Sequence, residues 1–216
     1  MVQPAPMQLF IPGPAGRLEA RLWEPAAGET PRAACVFCHP HPLHGGTMHS
    51  TVCFRVARAL QEAGLAVLRF NFRGAGRSAG EHDGEGGEER DLEAALDWMA
   101  ERYPDLALWA GGTSFGARCA VSLAAHTPRA ARIVLVALPV SVFDCSAIDR
   151  VRTPGLVCQG SLDEFGNLAE LEARHPDLYC GLELAEVEGA GHFFEGRIEA
   201  LQDLVRETAR RWLVRA

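Results

Sequence analysis

The sequence predicts an α/β protein whose sheet is largely parallel and covered by helices on both faces. Three observations carry that expectation. Short apolar runs alternate with segments of helical spacing along most of the chain. The runs are apolar throughout instead of alternating with polar residues, which is the pattern of strands buried on both faces. Gly64, Pro104 and Pro128 close three of the intervening helices.

Each element follows in turn. Residues 7–11 and 17–23 read as a pair of opening strands around a Gly-Pro turn, the antiparallel extension of the sheet. Residues 33–38 form a buried-type strand, 48–63 a helix and 66–72 the next strand. An amphipathic helix over 88–103 leads to a strand at 106–110 and a small-residue helix at 114–126. Apolar strands follow at 133–140 and 155–158, then a helix at 164–174, a strand at 179–187 and a terminal helix at 197–214. No repeat or low-complexity tract interrupts the series.

A chain of 216 residues fits one domain, 1–216, with a core large enough to need neither disulfide nor structural metal. Apolar residues at 48% and charged residues at 23% describe a soluble globular protein. The net charge of −7 argues against nucleic acid or an anionic membrane as partner. All 21 basic residues are Arg, and the absence of Lys excludes Schiff-base chemistry, a Walker phosphate loop and Ser-x-x-Lys acylases. The seven cysteines are odd in number and sit in apolar segments, as small core residues in a reducing compartment do. Cys35 and Cys38 form a C-x-x-C inside a strand, not at the strand-to-helix turn that redox chemistry uses. The first residues lack a basic leader region, and the longest apolar run, 133–138, is too short to span a membrane. The expectation is a cytoplasmic protein without cofactor.

The strand at 106–110 runs through Gly112-Thr113-Ser114-Phe115-Gly116 directly into a helix. That is G-x-S-x-G in the strand–turn–helix setting that exposes a serine hydroxyl above a sheet, with glycines making room for the turn. A second copy, Gly76-Arg77-Ser78-Ala79-Gly80, is followed by an acidic, Gly-rich stretch that cannot start a buried helix. Context therefore selects Ser114 and makes Ser78 an ordinary turn residue. A serine needs a base, and the base needs an orienting group. Downstream histidines are His126 and His175, each ending a helix, and His192, in a loop after the last strand where function concentrates. His192 is the expected base. Asp163 directly follows a strand and is the expected acid, with Asp144, after the preceding strand, its rival. An oxyanion hole needs two donors: the Phe115 N–H after the nucleophile, and one from the loop after the third strand. Pro40 and Pro42 lack an N–H, so His41 is the expected second donor.

Five motifs in order (HPHPLHGGTM, RFNFRGAGRSAG, GGTSFGA, QGSLDE and GAGHFFEGR) resemble the small bacterial α/β-hydrolases described as serine esterases or dienelactone-hydrolase-like proteins, from about residue 33 to the end. The resemblance implies an α/β-hydrolase fold with a mostly parallel eight-stranded sheet and a Ser114–Asp163–His192 triad. Two departures stand out. Ser161 replaces the first aspartate of the G-D-x-D-E pattern frequent in that family, and Ser114 stands where dienelactone hydrolases proper carry cysteine.

Other readings are weaker. Residues 74–79 fit G-x-G-x-x-A, but a dinucleotide site needs a helix there, and the carboxylates that follow would repel phosphate. His39, His41, His44 and His49 match no helix-borne zinc spacing, so no metal is expected. The acidic stretch 81–89 lacks a calcium-loop order and reads as a solvated loop. The expected function is hydrolysis of small carboxylic esters through an acyl-enzyme, with a thioesterase, a lactonase or a non-catalytic binding module of the same fold as alternatives. About 14 residues, 141–154, separate two strands where related folds insert a lid, so no lid domain is expected.

Overall fold

A computed structural model describes residues 6–26, 29–84 and 86–214. The first five residues, read above for a leader, and Glu85 of the acidic stretch lie outside the described residues.

In chain order the strands are β1 (Met7–Ile11), β2 (Leu18–Trp23), β3 (Ala33–Cys38), β4 (Leu65–Phe70), β5 (Leu108–Thr113), β6 (Arg132–Val136), β7 (Gly155–Gly160) and β8 (Leu182–Val187). The helices are α1 (Thr51–Glu62), α2 (Gly87–Arg102), α3 (Phe115–His126), α4 (Leu168–Arg174) and α5 (Ile198–Val214). β3 shows why the apolar runs form central strands. Its Ala33, Cys35 and Phe37 enter one apolar layer and its Ala34, Val36 and Cys38 the other, so the period-two pleat needs cover on both sides.

One eight-stranded sheet results, in the order β1-β2-β4-β3-β5-β6-β7-β8. β4 through β8 pair in parallel, and only β1 with β2 and β2 with β4 are antiparallel. Val56 and Leu60 of α1 meet Leu201, Val205 and Trp212 of α5 on one face. Leu92 and Met99 of α2 and Val121 of α3 fill the other. The α/β-hydrolase fold implied by the sequence motifs is thus the observed one. Residues 141–154 contain only a short 3-10 turn, Ser146–Arg150, so no helical lid crosses the C-terminal ends of the strands.

Several boundaries differ from the sequence reading, and two of them have a clear physical reason. The strand expected to reach 140 stops at Val136 because Ala137 turns to a positive φ of 52° and Leu138 bonds a side chain instead of a strand. The helix expected from 164 begins at Leu168, where Asn167 and Glu170 close a capping box. The acidic stretch is only in part a solvated loop: Glu81, Asp83 and Gly84 are exposed, whereas Gly87 and Glu88 are buried at the start of α2. Arg73, emerging from the end of β4, donates from Nε and Nη2 to the fully buried Asp91 at 3.0 and 2.7 Å, and from Nη1 to Asp83 at 2.9 Å. His82 meets the buried Glu88 at 2.7 Å. A buried guanidinium must be paired, and the acidic residues supply the pairs.

Removing one partner leaves a buried charge uncompensated. Asp91→Ala is expected to lower the urea-unfolding free energy by about 3 kcal/mol. An unchanged midpoint and slope would show that the pair contributes nothing net.

Candidate active site

β5 ends in the turn that the serine motif requires. Ser114 holds φ 55° and ψ −121°, a backbone that costs roughly 1–3 kcal/mol in an L-residue and persists only when over-determined. The determinants are close backbone contacts. A Cβ on Gly112 would sit 2.4 Å from the Gly116 carbonyl carbon, and one on Gly116 would sit 2.6 Å from the His39 oxygen. The Ser114 N–H donates to the Val136 carbonyl at 2.9 Å, which ties the turn to the end of β6.

Two loops bring the partners. The turn after β7 places Asp163, whose Oδ1 accepts the Phe165 N–H at 2.8 Å, and the loop after β8 places His192. The loops are fastened together: Leu162 N–H donates to the Ala190 carbonyl at 2.9 Å and Gly189 N–H to Ser161 Oγ at 2.8 Å. Ser161, the departure from the family pattern, thus holds the histidine loop. His192 Nδ1 lies 2.9 Å from both Asp163 carboxylate oxygens, and its Nε2 lies 2.9 Å from Ser114 Oγ. Asp163 and His192 are buried at 3% and 4% exposure, so little water competes for these bonds. With an ionised carboxylate as acceptor, Nδ1 carries the proton and Nε2 offers its lone pair to the hydroxyl.

The other candidates are engaged elsewhere. Ser78 Oγ donates to the Asn71 carbonyl at 2.6 Å and accepts the Glu19 N–H at 2.9 Å, a lock on its turn. The exposed Asp144 accepts the Ser146 N–H at 2.9 Å. His126 bonds the Ser122 carbonyl and His175 the Asp149 carboxylate. Among the described residues no helix follows residues 74–79 until Gly87, so none begins where a dinucleotide phosphate would need its N-terminus.

The loop after β3 makes a 3-10 turn, Pro42–His44, with the His41 ring 4.7 Å from that of Phe115. His41 Nδ1 accepts the Leu43 N–H at 3.2 Å, and its ring stacks on His44. Burial, reinforced by His44, His82 and Arg118, pushes its basicity down to a pKa of about 4, so His41 is neutral near pH 7.

Two supporting residues escaped the sequence reading. His39 is fully buried: its Nε2 accepts the Phe72 N–H at 3.0 Å while Nδ1–H donates to the Pro40 carbonyl at 2.6 Å, which clamps the start of the loop. Gln159 accepts the Leu138 N–H at 2.7 Å and donates to the Leu138 carbonyl at 2.9 Å and the Gly166 carbonyl at 2.5 Å, joining the end of β6 to the acid turn. A polar residue closing an apolar strand was the available signal in both cases. A pocket of ≈ 580 Å³ opens beside Ser114 and His192, walled by Val52, Phe165, Phe193, Phe194 and Ile198.

A serine turn at the C-terminal end of a central parallel strand, within an eight-stranded sheet, defines the α/β hydrolases. The chain belongs to the hydrolase family described as serine aminopeptidase, S33, whose model matches residues 29–144. An α/β serine hydrolase homologue from Coxiella burnetii is 35% identical with a TM-score of 0.86, covering 96% of this chain and 98% of that one. An α/β serine hydrolase without lid from Xanthomonas campestris is 32% identical with a TM-score of 0.87, covering 98% and 97%. A Rickettsia prowazekii protein is 30% identical over 212 residues, 93% of this chain and 87% of its own.

Burial depresses the pKa of His39 from 6.5 to about 4. Between those values the unfolded chain binds a proton that the folded chain does not, so stability must fall as pH falls. The contribution is present above pH 6.5, declines toward pH 4 and is gone below it, a loss of about 3 kcal/mol. Urea midpoints at pH 7.0, 5.5 and 4.0 check this, and His39→Asn is expected to flatten the profile. An equally steep profile in that variant would assign the acid sensitivity to other groups.

Proposed function

We propose that the protein is a serine hydrolase of small carboxylic esters. The observation that carries the reading is the unbroken chain from Ser114 Oγ through His192 to Asp163, with each link at 2.9 Å. In this reading Ser114 Oγ attacks the ester carbonyl while His192 Nε2 takes its proton. Asp163 fixes the tautomer and stabilises the imidazolium. The backbone N–H groups of His41 and Phe115 receive the oxyanion, assisted by the positive end of α3. Collapse breaks the ester C–O bond, and Nε2–H protonates the departing alkoxide. Water then repeats the sequence on the acyl-enzyme. The partner is a small molecule, and seven free thiols, six of them buried, suit a cytoplasmic setting. Among the described residues no helix is long and apolar enough to cross a membrane.

Labelling by a fluorophosphonate probe tests the activated serine directly. Ser114→Ala is expected to abolish labelling and to lower turnover by a factor on the order of 10⁶. Ser78→Ala is expected to label normally and lose only about 1 kcal/mol of stability through its two turn bonds. Labelling that survives in Ser114→Ala and vanishes in Ser78→Ala would reverse the assignment.

Chain-length preference follows from the missing lid. Each buried methylene contributes about 0.8 kcal/mol, but an open pocket gives long acyl chains no tunnel in which to accumulate that gain. Across p-nitrophenyl esters, kcat/KM is expected to peak between acetyl and about hexanoyl, with no jump at the solubility limit. A steady rise to palmitoyl would overturn this.

A further inference from the structure

We propose that the site selects esters of uncharged, apolar and preferably aromatic alcohols, with the leaving group held beside His192 by Phe165 and Phe193. The inference rests on the serine hydrolase reading and adds which half of the substrate the aromatic wall grips. The geometry argues as follows. Nε2 must protonate the leaving oxygen, so that oxygen lies within hydrogen-bond reach of the His192 ring, roughly 3 Å. Whatever flanks this ring flanks the leaving group. Two aromatic rings do, both edge-on to His192: Phe165 with centroids 4.5 Å apart and Phe193 at 5.2 Å.

Phe193 has no packing role that explains it, since it is 56% exposed, whereas its neighbour Phe194 is fully buried. Leu162, 68% exposed, extends the apolar rim on the acid turn that is hydrogen-bonded to the same loop. A rigid aromatic ring held half-exposed beside the proton donor offers a face for stacking another ring.

Charge points the same way. Among the residues lining the pocket none is Arg, the chain has no Lys, and Arg118, which acts on His41, is paired with Glu89 at 3.6 Å and donates to the Asp144 carbonyl at 3.2 Å. The lining carboxylate is Glu195, and the adjacent Arg197 is committed to the Glu188 carbonyl at 3.1 Å. His41, which also lines the pocket, is neutral near pH 7. An alcohol bearing a carboxylate or phosphate, including a phosphate-rich thiol carrier, would enter without a counter-ion and beside a negative charge.

The test holds the acyl group constant and varies the alcohol. Ethyl, benzyl and 4-carboxybenzyl acetate are compared on the intact protein and on Phe193→Ala, with fluorophosphonate labelling as a check that the serine is active. Benzyl acetate is expected to exceed ethyl acetate in kcat/KM by at least about tenfold, mainly through KM, and the 4-carboxy group to remove at least about tenfold. In Phe193→Ala the benzyl-to-ethyl ratio is expected to fall toward one. A ratio unchanged in Phe193→Ala, or a carboxybenzyl ester as good as the benzyl ester, overturns the inference while leaving the serine hydrolase reading intact. Absence of both labelling and turnover of all three esters would overturn that reading and this inference together.

Discussion

The contact on which the site depends is between two backbones. The first turn of α3 lies so close to the end of β3 that a methyl group at Gly116 would stand 2.6 Å from the His39 oxygen and 2.8 Å from the Cys38 carbonyl carbon. Neither neighbour can retreat, because β3 is the central strand, paired in parallel on both sides. The approach forces the chain between β5 and α3 through a turn so tight that Ser114 takes a positive φ. It also sets the loop after β3 against the start of α3, which brings the His41 and Phe115 rings together. The proposed nucleophile and both proposed oxyanion donors therefore share one determinant.

The second half of the site adds hydrogen bonds to a close approach. Asp163 and His192 arrive on the loops after β7 and β8, which are bonded to each other, and a Cβ on Gly160 at the end of β7 would sit 2.3 Å from the Ala190 oxygen of the histidine loop. Gln159 extends this lattice to Leu138 and Gly166, which ties the ends of β6 and β7 to the acid turn. The two non-glycine residues besides Ser114 with positive φ, Ala137 and Phe194, lie on these same connections among the described residues. Strain concentrated at the C-terminal ends of the strands matches the general habit of sites built on rigid sheets.

The sequence made the sheet, the turn at Ser114 and the different settings of its two G-x-S-x-G copies legible, because each rests on local signals. A strand must be apolar, a helix must follow, and glycine must stand where a Cβ cannot. Ser78 has the motif and lacks the helix, and the structure uses its hydroxyl to brace a turn. What stayed hidden depends on pairing across distance. Arg73 reaches Asp91 18 residues away and Gln159 reaches Leu138 21 residues away. No periodicity announces such partners. The acidic stretch read as solvated throughout because its charges were counted without the buried guanidinium of Arg73, which Asp83 helps to pair.

Charge placement also separates scaffold from pocket. The buried ion pair of Arg73 and Asp91 and the contact of His82 with Glu88 lie in the first turns of α2, where the His82 ring meets that of His41 at 4.8 Å. The pocket itself is lined by imidazoles, aromatic rings and backbone, with Glu195 as its carboxylate. A fixed cation beside the nucleophile would attract anionic ground states as strongly as the developing oxyanion, and uniform binding of that kind does not accelerate chemistry. Backbone N–H groups aimed at one oxygen discriminate better, because they strengthen only as charge develops there. The proposed oxyanion donors are such peptide dipoles, and the rigid backbone contact at Gly116 would keep their aim.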